Sequence, residues 1–134
     1  MIVKEIPVAD VAARRVRILV VEDELLIRLV VCDLLRDSGY DVIEAANGDE
    51  ALDLLNARVA VDLILTDVRM PGSTDGLALL QFVRNKLGDL PVIVTSGHLE
   101  SEVAMAAGAS QFLAKPFSVA EALRLVESEA EKQK

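Results

Sequence analysis

The sequence predicts a doubly wound α/β fold, a five-stranded parallel sheet covered by helices on both faces. Three observations lead there. From Val16 onward, short β-like runs alternate with amphipathic helical segments five times. The connections between them are short. The runs at 63–65 and 92–94 are apolar on both faces, as strands covered from two sides must be.

The helical segments fall near 24–38, 48–58, 76–87, 99–107 and 118–132. The first places Ile27, Val30, Val31 and Leu34 on one stripe at helical spacing. It is apolar well beyond that stripe, which points either to deep packing or to a weak interface. Asn47 with Glu50, and Ser118 with Glu121, have the spacing of capping boxes, in which two side chains satisfy otherwise orphaned helix-end amides. Gly39 follows the first helix, where a residue tolerating positive φ is useful. Residues 1–15 lack clear periodicity and read as a leader that either packs or frays. The domain is expected over 16–134, with no internal repeat, low-complexity stretch or linker to a second domain.

At 134 residues the chain fits one domain with a proper core. An apolar fraction of 52% with 27% charged residues is that of a soluble globular protein. The longest apolar stretch, Leu25 to Leu35, is broken by Arg28 and Asp33 and is far short of the ~20 residues of a membrane span. No secretory signal opens the chain, since Lys4, Glu5 and Asp10 interrupt its start. The single cysteine, Cys32, has apolar neighbours and reads as a buried thiol in a reducing, cytoplasmic compartment. A net charge of −8 and the absence of Lys/Arg runs argue against nucleic-acid binding. Much of that acidity belongs to solvated helix faces, but Glu22-Asp23-Glu24 concentrates it at one point.

Four apolar runs end in polar residues of complementary kinds. Ile18–Val21 leads into Glu22-Asp23, Leu63–Leu65 through Thr66 into Asp67, Val92–Val94 through Thr95 into Ser96, and Gln111–Ala114 into Lys115. In open α/β sheets ligands sit beyond the carboxyl ends of the strands, so these residues are expected to share one site. Like charges as close as Glu22, Asp23 and Asp67 must be relieved by a proton or a cation. Carboxylates with a loop carbonyl and water are hard ligands that suit Mg²⁺, and with His98 as the sole histidine no zinc-type cluster exists. A carboxylate beside such a cation can attack phosphorus, the cation offsetting the charge that accumulates. Lys115 would contact a phosphoryl oxygen as a point charge, and the Ser96 hydroxyl another. Taken singly, each residue has an ordinary explanation: a strand-end acid is usually a solvated loop residue, a lone lysine a surface lysine, a serine there a helix cap, and Phe112 a core aromatic. Agreement among four strand ends is what favours a site.

The strings I-L-V-V-E-D-E at 18–24, D-L-I-L-T-D-V-R-M-P-G at 62–72, P-V-I-V-T-S-G at 91–97 and F-L-A-K-P-F at 112–117 make the chain resemble a receiver domain of the two-component response regulators, of the stand-alone chemotaxis type. The resemblance implies a flavodoxin-like sheet of order 2-1-3-4-5 with five helices. It makes Asp67 the phospho-acceptor, Asp23 a direct Mg²⁺ ligand, Glu22 an acidic partner acting largely through water, and the backbone carbonyl of Arg69 a further ligand. Ser96 matches the switch hydroxyl, Phe112 the switch aromatic and Lys115 the phosphoryl-contacting lysine; Gly97 leaves room beside the group, and the bond to Pro116 is expected to be cis. The phosphoryl donor would be a phosphohistidine on a sensor histidine kinase or histidine phosphotransfer protein. The receiver supplies the catalytic site without being an enzyme in the ordinary sense, and resets by its own slow hydrolysis. Phosphorylation would then change how the face of the fourth helix, fifth strand and fifth helix binds a downstream protein.

Three departures from the family pattern stand out. Phe112 replaces the common tyrosine. The loop Pro71–Gly76 is one residue longer than usual, which bears on the metal loop or on kinase docking. Arg69 and His98 follow Asp67 and Ser96 by two residues and are placed to influence the attacking water. The leading expectation is a single-domain response regulator, and the alternative is a receiver-like docking module that is never phosphorylated. An aspartyl phosphatase is disfavoured because Arg69 stands where a second acid is usual. Flavin binding is disfavoured because Glu22-Asp23-Glu24 would repel a phosphate. The kinase, the stimulus, the target and the oligomeric state are not encoded legibly.

Overall fold

The computed structural model describes residues 15–70, 72–97 and 101–133. The leader, apart from Arg15, and His98 therefore lie outside the described residues. The element order is β1 (Arg17–Val21), α1 (Leu25–Asp37), β2 (Asp41–Ala45), α2 (Gly48–Asn56), β3 (Leu63–Asp67), α3 (Gly76–Leu87), β4 (Val92–Ser96), α4 (Ser101–Ala106), β5 (Gln111–Ala114) and α5 (Val119–Glu131). All neighbouring strands pair in parallel, in the order β2-β1-β3-β4-β5. This is the doubly wound parallel sheet with five helices that the alternation predicts, in the flavodoxin-like order that the family resemblance implies.

Two cores follow from the period-2 alternation of side chains along each strand. Ile18, Val20, Leu63, Leu65 and Ile93 face one way and pack with Val31, Cys32 and Leu35 of α1 and Val126 of α5. Leu19, Val21, Ile64, Val92 and Val94 face the other way, against Ala51 and Leu55 of α2, Leu79, Leu80 and Val83 of α3, and Ala104 of α4. Burial pushes the Cys32 thiol up to about 12, so it is a packing residue and not a nucleophile. No helix among the described residues is long and apolar enough to cross a membrane.

The helix ends obey local chemistry. Gly39 takes a φ of 98° just beyond α1. Ser118 and Glu121 form the full reciprocal capping box at α5. At α2 the expected box is only half formed. Asn47 accepts from the Glu50 amide at 2.8 Å, but the Glu50 carboxylate reaches one residue further back and accepts from Ala46 N, also at 2.8 Å. Both N-caps are extended, but φ is −161° at Asn47 against −84° at Ser118, and this turn of the backbone accompanies the change of partner.

The excess apolar surface of α1 is not explained by deep packing. Leu25, Leu26, Leu29 and Val30 are exposed, Leu26 to 76%. Only the stripe carrying Val31, Cys32 and Leu35 is fully buried.

Candidate functional site

Parallel register brings the strand ends together. Val21 pairs with Thr66, Asp67 with Thr95, and Ser96 with Ala114, so β1, β3, β4 and β5 finish along one edge. Beyond that edge two backbone bonds extend the ladder: Val68 N donates to Thr95 O at 3.1 Å and Lys115 N to Ser96 O at 2.9 Å. Lys115 is thereby fixed beside Ser96 before its side chain makes any contact. Thr66, fully buried, donates its hydroxyl to the Asp67 carbonyl at 2.9 Å and steadies the turn out of β3.

The Lys115 ammonium donates to Glu22 Oε1 and to Asp67 Oδ2, each at 3.0 Å. The other Asp67 oxygen accepts from Val68 N at 2.8 Å. Glu22 and Asp67 are buried, whereas Asp23, next in the chain, is exposed. One oxygen from each of Glu22, Asp23 and Asp67 lies within 4.8 Å of the others. Burial raises the Glu22 carboxyl above its ordinary range, and the nearby Asp67 charge adds to this against opposing bonds from Glu24 N and Lys115. For Lys115, burial works toward a lower value, but the hydrogen bonds and charges of Asp67 and Glu22 outweigh it and hold the ammonium above its ordinary range.

Two further contacts hold Glu22 in its inward pose besides the Lys115 bond. Glu24 N donates to its second carboxylate oxygen at 3.1 Å, and Arg28 Nη1 donates to its carbonyl at 2.7 Å. Arg28 also donates through Nε to Glu44 Oε1 on β2 at 3.1 Å. Neither the Arg28 brace nor the direct Glu22–Lys115 pair is evident from the sequence. An arginine interrupting the apolar first two turns of α1 is the one signal that could have indicated the brace.

An open cleft of about 660 Å³ lies over these groups, within the range of ligand-binding clefts. Asp23, Asp67, Arg69, Ser96, Gly97, Lys115 and Pro116 line it, opposite an apolar wall of Leu26, Ile27, Val30, Val31, Phe117 and Val119. The Lys115–Pro116 bond is cis. Gly97 is exposed, and a Cβ there would rest 3.6 Å from Lys115 Cβ, an ordinary contact, so clearance toward Lys115 does not require glycine. Phe112 is not among the lining residues; it packs, partly buried, against the core on the α2–α3–α4 side.

The donor set fits a hard divalent cation. Asp23 and Asp67 line the cleft with Glu22 close beside them, no sulfur or imidazole ligand joins them among the described residues, and Lys115 offsets two of the acids.

Comparison with known proteins agrees with this geometry. The family model described as the response regulator receiver domain matches residues 18–127. The chain is 38% identical over 111 residues to the DNA-binding transcriptional regulator NtrC of Klebsiella pneumoniae, covering 81% of this chain and 23% of that protein. It is 35% identical over 123 residues to the transcriptional regulatory protein PdtaR of Mycobacterium tuberculosis, covering 89% and 58%. The chain thus spans about a quarter of the first and somewhat over half of the second. Among solved structures, the receiver domain of the Francisella response regulator 1452 superposes with a TM-score of 0.83 at 30% identity, covering 90% of this chain and all of that one. The receiver domain of NtrX from Brucella abortus does so at 0.75 and 38%, covering 85% and 98%. With the same fold as these solved receiver domains and a family match over most of its length, the chain belongs to the response regulator receiver domains of two-component signalling.

Proposed function

We propose that Asp67 accepts a phosphoryl group from a phosphohistidine and that the domain, over 16–134, works as a phosphorylation-controlled switch. The observation that carries the reading is the pose of Asp67: buried at the floor of an open cleft, with Lys115 at 3.0 Å and two further acids beside it. In the transfer, a carboxylate oxygen of Asp67 forms a bond to phosphorus while the P–N bond breaks. The electron pair returns to the imidazole of the donor.

Glu22, Asp23, Asp67 and the Arg69 carbonyl are the groups that would hold Mg²⁺, with Glu22 acting from behind the others. Magnesium, when bound, supplies positive charge against that accumulating on the phosphoryl oxygens. Lys115 exchanges a carboxylate partner for a phosphoryl oxygen, and Ser96 donates its hydroxyl to another. Gly97, His98 and Pro116 flank the group, and Arg69 and His98 govern access of the water that slowly hydrolyses it. Drawing Ser96 inward repacks Phe112 and biases the α4-β5-α5 face toward a downstream protein.

The exposed apolar residues of α1 continue into the wall of the cleft at Leu26 and Val30. This supports docking of the phosphodonor, a sensor kinase or phosphotransfer protein, along α1, with its histidine directed over Asp67. A buried lone thiol and a kinase partner fit a cytoplasmic setting.

Incubation with acetyl phosphate and Mg²⁺ followed by intact mass measurement tests the reading. Gain of one phosphoryl group, labile to hydroxylamine and absent from Asp67→Asn, is expected. A phosphorylated Asp67→Asn protein, or no gain in the wild type, contradicts it.

A further inference from the structure

The β3–α3 loop is attached to α2 by one side chain. Asp49, in the first turn of α2, accepts from Ser73 N at 3.2 Å and from Ser73 Oγ at 2.9 Å, one bond to each carboxylate oxygen. Bonds from Thr74, chiefly its hydroxyl, and from Ser73 hold the Asp49 carboxyl below the usual carboxylate range. The backbone of the loop is packed tightly onto the same helix end. A Cβ at Gly48 would run into the Thr74 carbonyl, and one at Gly72, whose φ is 102°, would come within 2.7 Å of Asp49 Oδ2. Thr74 is buried as a result. Beyond it the loop is tied back at Gly76, whose N–H donates to Val68 O at 2.9 Å.

This is the loop whose extra residue the sequence singles out. At Ser73 the loop meets α2, where the Asp49 carboxylate takes both Ser73 donors. Upstream in the same loop lies Arg69, exposed at the rim of the cleft.

We propose that Asp49 is a positioning residue for the candidate metal site: by pinning Ser73 and Thr74 to the start of α2 it sets the path of the β3–α3 loop and so the placement of the Arg69 backbone at the cleft. The inference rests on the reading of Arg69 as a carbonyl ligand and adds a residue that touches neither metal nor phosphoryl group. Positioning groups of this kind govern how well first ligands converge on a cation. A pinned loop also carries less conformational entropy to be lost on binding.

The test is a Mg²⁺ titration of the full chain followed by amide NMR, on wild type, Asp49→Ala, Ser73→Ala and the double variant, with Tm measured in parallel. Asp49→Ala also removes a charge favourable at a helix N-terminus. Ser73→Ala leaves that charge in place, and serves alone if Asp49→Ala fails to fold. The expected result is about tenfold weaker Mg²⁺ binding in each single variant. The double variant should be no weaker than Asp49→Ala, because both changes break one contact. Affinities within about twofold of wild type, whatever happens to Tm, overturn the proposal and make the contact purely architectural. Additive losses also overturn it, since they would mean that Asp49 acts through charge at a distance. Absence of Mg²⁺ binding by the wild type would remove the site reading itself, a distinct and separately visible failure.

Discussion

The ammonium of Lys115 lies 3.0 Å from Asp67 Oδ2, joining residues 48 positions apart in the chain, and its second bond goes to Glu22. One cation thus holds two buried acids in place while belonging to neither. Lys115→Met leaves both carboxylates facing each other without an offsetting charge. The variant is expected to melt lower than wild type in metal-free buffer and to gain more Tm than wild type from saturating Mg²⁺, since no ligand is lost. Equal Mg²⁺-induced shifts in thermal scans of the two proteins would contradict this.

Glu22 carries the opposite sign. Its folded carboxyl titrates above the unfolded value of 4.5, mainly because it is buried. Its contribution to stability is therefore present below that value and is lost as pH rises through the raised folded pKa. At neutral pH the ionised group is a net cost. Glu22→Gln is expected to be at least as stable as wild type at pH 7, with the difference shrinking as pH falls toward 4, and to bind Mg²⁺ more weakly. Urea unfolding across that window, with a metal titration, checks both.

Leu26 and Val30 are exposed to 76% and 55% and line the cleft without joining the core. Leu26→Ser with Val30→Ser is expected to change stability by no more than about 0.5 kcal/mol per site. Phosphorylation by acetyl phosphate should be unchanged, while the rate from a phosphohistidine protein donor falls. A parallel fall with the small donor would mean that the wall shapes the site itself.

Gly76 abuts the backbone of Asp67 and Val68 so closely that a Cβ would overlap both. Gly76→Ala must shift either α3 or Asp67, and overpacking of this kind costs about 1–3 kcal/mol. Denaturant midpoints should fall accordingly, with Mg²⁺ affinity falling alongside. A fully stable variant with unchanged affinity would show that the contact can relax at no cost.

The parallel sheet and the gathering of strand ends are legible in the sequence because they follow from period and connection length, whereas the strand order comes from the family resemblance. Asp67 and Ser96 each end a fully buried strand and Lys115 follows the half-buried β5, so their convergence is a consequence of parallel pairing. Side-chain poses beyond the strand ends are another matter. Which of Glu22 and Asp23 turns inward depends on the Glu24 amide and on Arg28, contacts that exist only once α1 has packed. The Glu50 carboxylate takes Ala46 N in place of Asn47 N, a choice that goes with an N-cap φ of −161° and that no spacing rule specifies. The Asp49–Ser73 contact bridges 24 positions, and only the odd length of the loop hints at it. For the apolar excess of α1, sequence leaves two readings open, and exposure of Leu26 and Val30 selects a surface role over deep packing.

Amide NMR with Mg²⁺ and beryllofluoride, comparing wild type with Asp67→Asn, tests the central claim most directly. Shifts in the wild type should spread from Asp67 to Ser96 and on to Phe112, with none of these in Asp67→Asn. Wild-type spectra identical with and without beryllofluoride would contradict it.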